Sequence, residues 1–106
     1  NLNNMRDYKN DAASGKKTLV VMMGPNMAKF YHLFLVLIGL IALIIFINKL
    51  NDEIYYFALL PGVLLLLHLR KVMKIKFSKD FDPELKKVAL STFGISLVLF
   101  CLLIWY

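Results

Sequence analysis

The sequence predicts an all-α integral membrane protein with three transmembrane helices, and three observations carry that expectation. Hydrophobic side chains make up 59% of its 106 residues and the mean hydropathy is +0.65, too apolar for an ordinary soluble domain. Three apolar runs approach the roughly 20 residues needed to cross a bilayer core. The basic residues, which leave a net charge of +6, gather on alternate connections, the pattern of helices that pass back and forth through a membrane. The chain opens at Asn1 on a polar segment without a signal peptide or charged leader, so a longer parent is expected.

Residues 1–28 hold the dense cluster of chemically capable side chains and a short connector. If the first part is helical, Asn3, Asp7 and Asp11 fall at i, i+4 and i+8, so that an amide oxygen and two carboxylates line one face. Stacked carboxylates repel unless a cation sits between them. Hard oxygen donors with no Cys or His nearby favour Mg²⁺ over Zn²⁺, and Mg²⁺ completes its shell with water and phosphate oxygens. Gly15 then lets the backbone turn, and Lys16 and Lys17 can answer the charge of a diphosphate. Residues 19–23 are apolar but too short to span, which makes them an interfacial connector closed by Gly24-Pro25, with Asn26 the expected N-cap of the next helix.

Residues 29–48 form the first expected transmembrane helix, with no charge between residues 30 and 47. An extracytoplasmic turn, 49–53, leads into the second span, 54–70, which carries Pro61-Gly62. This run is short, so its flanks are expected to snorkel or the helix to sit low. Pro61 is expected to kink it, and Gly62 to admit a close neighbour. Residues 71–86 form a basic cytoplasmic loop, ending in Asp82-Pro83-Glu84, a helix start with N-cap, Pro at N1 and an early acid. The third span is 87–106, where Trp105 and Tyr106, like Tyr55 and Tyr56, suit the headgroup region.

Charge sets the expected orientation. Arg6, Lys9, Lys16 and Lys17 precede the first span and Lys29 opens it, and Arg70, Lys71, Lys74, Lys76, Lys79, Lys86 and Lys87 lie around the second loop, whereas the first turn has only Lys49. With three crossings, the N-terminal motif and the basic loop fall on the same, cytoplasmic side. That compartment holds free Mg²⁺.

The run from Asn3-Asn4-Met5-Arg6-Asp7 through Asp11 to Gly15-Lys16-Lys17-Thr18-Leu19 resembles the second aspartate-rich motif of the UbiA superfamily of intramembrane aromatic prenyltransferases. Within it the run is most similar to the MenA branch, the 1,4-dihydroxy-2-naphthoate polyprenyltransferases of menaquinone biosynthesis. Residues 82–93 also resemble the entry to that branch's last helix. The resemblance implies the C-terminal third of a nine-helix bundle in the bacterial inner membrane, completed by N-terminal helices that carry a first aspartate-rich motif. It implies polyprenyl diphosphate and 1,4-dihydroxy-2-naphthoate as substrates, with the ring carboxylate lost as CO₂. Mg²⁺ would be held by Asp7 and Asp11 with Asn3 auxiliary. Lys16 and Lys17 would grip the diphosphate, Asn4 and Thr18 would line the substrate, and Arg6 would orient a carboxylate or the aromatic acid. The sequence departs from the pattern at Met22 and Met23, where family members often carry a basic residue before the connector's Gly. The fragment by itself is expected to be inactive.

Two other readings stay open: another aromatic acceptor such as 4-hydroxybenzoate, or a small non-catalytic membrane protein whose acidic helix and basic loop bind partners or membrane lipid. No nucleic-acid partner is expected. A P-loop reading of Gly15-Lys16-Lys17-Thr18 fails, because the earlier Gly is missing and Lys17 replaces the hydroxyl residue. His32 and His68 are read as interfacial or packing residues, since neither has a Cys, Asp or second His at ligand spacing. Cys101 lies in apolar sequence, the Met residues fill apolar surface, and Ser91, Thr92 and Ser96 are assigned hydrogen bonding between or within helices.

Overall fold

A computed structural model describes residues 1–76 and 78–105. Three long helical spans, Pro25–Lys49, Glu53–Lys74 and Lys79–Trp105, are long and apolar enough to cross a membrane. They form a rod of 52 × 22 × 22 Å. Its elements are α1 (Leu2–Arg6), α2 (Tyr8–Ala13), α3 (Leu19–Met23), α4 (Pro25–Lys49), a 3₁₀ segment (Glu53–Gly62), α5 (Val63–Lys74), a short 3₁₀ turn (Ser78–Phe81) and α6 (Asp82–Trp105). No strand occurs among the described residues.

The N-terminal segment bends at Asp7, at φ −90° and ψ 4°, and so forms two short helices. Two i to i−4 bonds meet at this residue, the Asp7 N–H donating to the Asn3 carbonyl at 2.9 Å and the Asp11 N–H to the Asp7 carbonyl at 2.9 Å, but no helical bond spans it, so Asn3 and Asp11 lie on separate short helices joined at Asp7. Gly15 at φ +72° turns the chain back, and the Thr18 side chain caps α3 by accepting from the Val21 N–H at 3.2 Å. Gly24 at φ +81° redirects the chain into α4, where Pro25 takes a first-turn position, one that needs no N–H donor. Asn26, expected as the cap, lies instead inside that first turn, and no side chain bonds at the Gly24 cap position.

α4 is apolar on every side and leaves Phe34, Ile38, Ile41 and Ile45 exposed, as α6 leaves Phe93, Leu97, Phe100 and Ile104. Such all-round apolarity suits lipid contact. The helix stops at Leu50, Asn51 takes a left-handed φ of 55°, and the Asp52 carboxylate caps the next segment by accepting from the Ile54 N–H at 3.0 Å. The second span answers its shortness in an unexpected way. Its first ten residues wind as 3₁₀ helix, which rises about 2.0 Å per residue against 1.5 Å in an α-helix. The combined segment therefore reaches about 38 Å, close to the ~37 Å of α4. Pro61 sits at the change from 3₁₀ to α winding. The close approach expected at Gly62 falls instead at Gly94, where an added Cβ would lie 3.0 Å from the Pro61 Cβ, whereas one at Gly62 would meet Ile95 and Leu40 at an ordinary 3.6 Å. Trp105 is exposed at the end of α6; Tyr106, expected beside it, lies outside the described residues.

The start of α4, the end of α5 and the start of α6 meet at one end of the rod, and α1–α3 fold over them. Leu2, Met5, Val20 and Ala28 pack there against Val72, Ile75 and Phe81. Burial of these side chains holds the polar motif on the bundle. Two longer-range contacts fasten it: Asn1 Nδ2 donates to the Ala28 carbonyl at 3.1 Å and Arg6 Nη1 donates to Asp82 Oδ1 at 3.2 Å; beneath it, Lys29 Nζ on α4 donates to the Ile75 carbonyl at the end of α5.

Candidate functional site

Leu2 and Met5 of the motif face the bundle and anchor it there, and its polar residues differ in exposure. Asn3 is exposed and Asn4 half-buried. Arg6 grips its neighbour Asp7 in a two-pronged pair, Nε to Oδ1 at 2.8 Å and Nη2 to Oδ2 at 3.0 Å, while its third nitrogen reaches Asp82. The hydrogen bonds from Arg6 hold the Asp7 carboxyl below the usual carboxylate range, and the two carboxylates raise Arg6 still further above its already high value. Asp7 is thus fully ionised at neutral pH but already partnered.

Asp11 is placed differently. It is only 5% exposed. One oxygen, Oδ1, accepts from Lys16 Nζ at 3.3 Å, because the Gly15 turn, closed by Lys16 N–H to the Asp11 carbonyl at 2.9 Å, folds Lys16 back over it. The other oxygen, Oδ2, is buried and has no hydrogen-bond partner among the described residues. Such an atom is costly to leave unpaired. An oxygen-only donor set with one uncommitted carboxylate oxygen fits a hard cation such as Mg²⁺, which takes one or two protein carboxylates and fills the rest of its shell from water and phosphate. Among the described residues, no group of three or more His, Cys, Asp and Glu side chains is arranged to hold a metal by itself. Lys17 is exposed and Thr18 half-buried, its hydroxyl spent on the α3 cap.

A second constellation was not legible in the sequence. His32 on α4, His68 on α5 and Glu84 on α6 form a chain inside the bundle, His32 Nε2 to His68 Nε2 at 2.8 Å and His68 Nδ1 to Glu84 Oε2 at 2.8 Å. His68 and Glu84 are fully buried and His32 nearly so. Lys87 Nζ donates to Glu84 Oε1 at 2.7 Å, and Lys71 Nζ lies 3.5 Å from the same oxygen. The partners fix the tautomers: an ionised Glu84 requires a proton on His68 Nδ1, so the His–His contact carries a single shared proton between its two nitrogens. The histidines read as packing residues therefore have partners, and Glu84, read as a first-turn acid, is the anchor of the chain. Ser91 bonds within its own helix, to the Lys87 carbonyl at 2.7 Å. The available signal was topological. Each of the three lies within two turns of the span end that, after three crossings, falls on the same side, and ionisable groups at that depth call for partners.

Comparison with known proteins bears on both clusters. The model of the UbiA prenyltransferase family matches residues 1–86. The chain is also 37% identical over 84 residues, 78% of its length, to the 1,4-dihydroxy-2-naphthoate octaprenyltransferase of Escherichia coli (strain K12). It spans about a quarter of that relative, 26% of its length. No solved structure matches. The family match takes in the N-terminal polar segment, the first two spans and the start of the third, well over half of the chain: the chain belongs to the UbiA prenyltransferase family.

Proposed function

We propose that the chain is the part of a Mg²⁺-dependent polyprenyltransferase that carries its second aspartate-rich motif. In this reading the intact protein transfers a polyprenyl group from polyprenyl diphosphate to 1,4-dihydroxy-2-naphthoate in menaquinone biosynthesis. The family membership and the function named for the Escherichia coli relative support it. The observation that carries it is the buried Asp11 carboxylate with Oδ2 unpaired beside Lys16.

Asp11 and Asp7, with Asn3 auxiliary, are the residues that would hold Mg²⁺, which when bound supplies Lewis-acid neutralisation of the diphosphate charge. Lys16 is already held at Asp11 and Lys17 stands exposed next to it, so both ammonium groups can take up the diphosphate as the bond to the prenyl carbon breaks. Arg6 keeps Asp7 ionised and fixed in place. Asn4 and Thr18 complete the polar lining. The prenyl chain lies among the apolar spans, where water is excluded and an allylic cation persists until the electron-rich ring attacks. The charge asymmetry between the two ends of the spans supports an inner-membrane orientation with the motif towards the cytoplasm. The acceptor site draws on the remaining N-terminal helices of the parent chain.

The test is an assay of the intact parent in liposomes with polyprenyl diphosphate, Mg²⁺ and either 1,4-dihydroxy-2-naphthoate or 4-hydroxybenzoate. A Mg²⁺-dependent prenylated naphthoquinol is expected, reduced about 10²–10³-fold or more by Asp11→Ala. Product from 4-hydroxybenzoate alone would keep the mechanism and change the acceptor. Turnover unaffected by Asp11→Ala would sink the role given to this carboxylate.

A further inference from the structure

A cavity of about 340 Å³ lies beside the motif, lined from its two short helices by Met5, Tyr8 and Lys9. None of Asp7, Asp11, Lys16 and Lys17 lines the cavity.

Three lysines from three separate parts of the chain do line it: Lys9 of α2, Lys29 in the second turn of α4, and Lys76 just beyond α5. No Asp or Glu is among the described residues of its wall. The Tyr8 hydroxyl and the Asn26 amide add neutral donors, and Met5 and Phe81 supply an apolar floor. Lys29 is held in place by its bond to the Ile75 carbonyl and keeps two further N–H donors. Like charges gathered in a concave, acid-free site raise its affinity for an anion.

Depth narrows the choice of anion. Lys29 lies near the start of the span Pro25–Lys49, and Lys76 lies two residues past the end of the span Glu53–Lys74. That is the level of lipid headgroups. A free phosphate ion has no use for the apolar floor, whereas a phospholipid lays its glycerol and first acyl carbons on it. We propose that this cavity binds the phosphate group of an anionic phospholipid, separately from the aspartate site and independently of the reaction that site performs. The bound lipid would join α2, α4 and the α5–α6 connection through one headgroup.

The test uses the intact parent protein in phosphatidylcholine nanodiscs, with phosphatidylglycerol titrated in and the retained lipid counted by native mass spectrometry. Replacing Lys9→Gln and Lys76→Gln together is expected to weaken phosphatidylglycerol retention about thirtyfold, and Lys9→Gln alone about fivefold. Lys49→Gln, in the turn at the other end of the bundle, is the control and is expected to change nothing. Both replaced lysines are exposed, so the thermal midpoint in pure phosphatidylcholine should hold; if the double variant unfolds, the single one carries the test. Equal retention by wild type and Lys9→Gln overturns the proposal, as does equal weakening by Lys49→Gln. Displacement of the lipid by millimolar inorganic phosphate would assign the cavity to the free anion and overturn the lipid.

Discussion

The aspartate motif and the His32–His68–Glu84 chain both place carboxylates at the same end of the bundle, but Glu84 has both oxygens engaged while Asp11 keeps one without a partner. The difference teaches which cluster the fold completes by itself. A buried polar network that is fully satisfied fixes one arrangement of the helices that supply it, and here it takes one residue from each span. A buried oxygen left unpaired is a cost that the described residues do not offset. The histidine chain is thus a clasp that the described fold completes, and the aspartate motif holds a carboxylate that it leaves open, as the proposed diphosphate site requires.

The comparison can be broken in order of expected effect. Glu84→Ala removes the anchor from two buried rings and two lysines, and is expected to destabilise the bundle by about 3–5 kcal/mol in denaturant unfolding; a loss below about 1 kcal/mol would mean that the clasp holds little. His32→Leu and His68→Leu should each cost about 1–3 kcal/mol by stranding a buried partner. Combined, they should cost clearly less than their sum, since each already breaks the shared contact. Strict additivity would show that the 2.8 Å approach of the rings carries no coupling.

Asp11→Leu should go the other way from Glu84→Ala. It removes an unpaired oxygen, so the stability of the intact protein should stay within about 1 kcal/mol of wild type or rise, while turnover is lost. A large destabilisation would make Asp11 a structural residue after all. The smallest effect concerns Arg6. Because its hydrogen bonds depress the folded value of Asp7, their stabilising contribution is present above the unfolded carboxyl value of about 4 and disappears as pH falls through the depressed folded value. The gap in thermal midpoint between wild type and Arg6→Gln should therefore stay level from pH 7 to about pH 4 and close below it.

The sequence declared what depends on neighbours along the chain. Unbroken apolar runs marked the helices, and Gly15 and Gly24 marked turns that the structure gives positive φ, but nothing along the chain announced the break at Asp7 that divides the aspartate segment into two helices. What depends on neighbours in space was not declared. Glu84 looks the same in sequence whether it faces water or two histidines, and His32 and His68 are 36 residues apart. Gly62 and Gly94 are equally small; only the packing of α6 on Pro61 decides which of them has to be. The 3₁₀ winding of Glu53–Gly62 has no signature beyond an apolar run too short for its task.

The Arg6–Asp82 contact joins residues 76 positions apart, and this separation has a meaning in time. At the usual pace of synthesis, about 5–20 residues per second, Asp82 emerges roughly 4–15 s after Arg6. For that interval the motif can pack on Val20 and Ala28, and then on Val72 and Ile75 as they follow, but Phe81 and the last span are still unmade. The motif is therefore completed only when the third span is in place, and any fault in placing that span is felt at the aspartates.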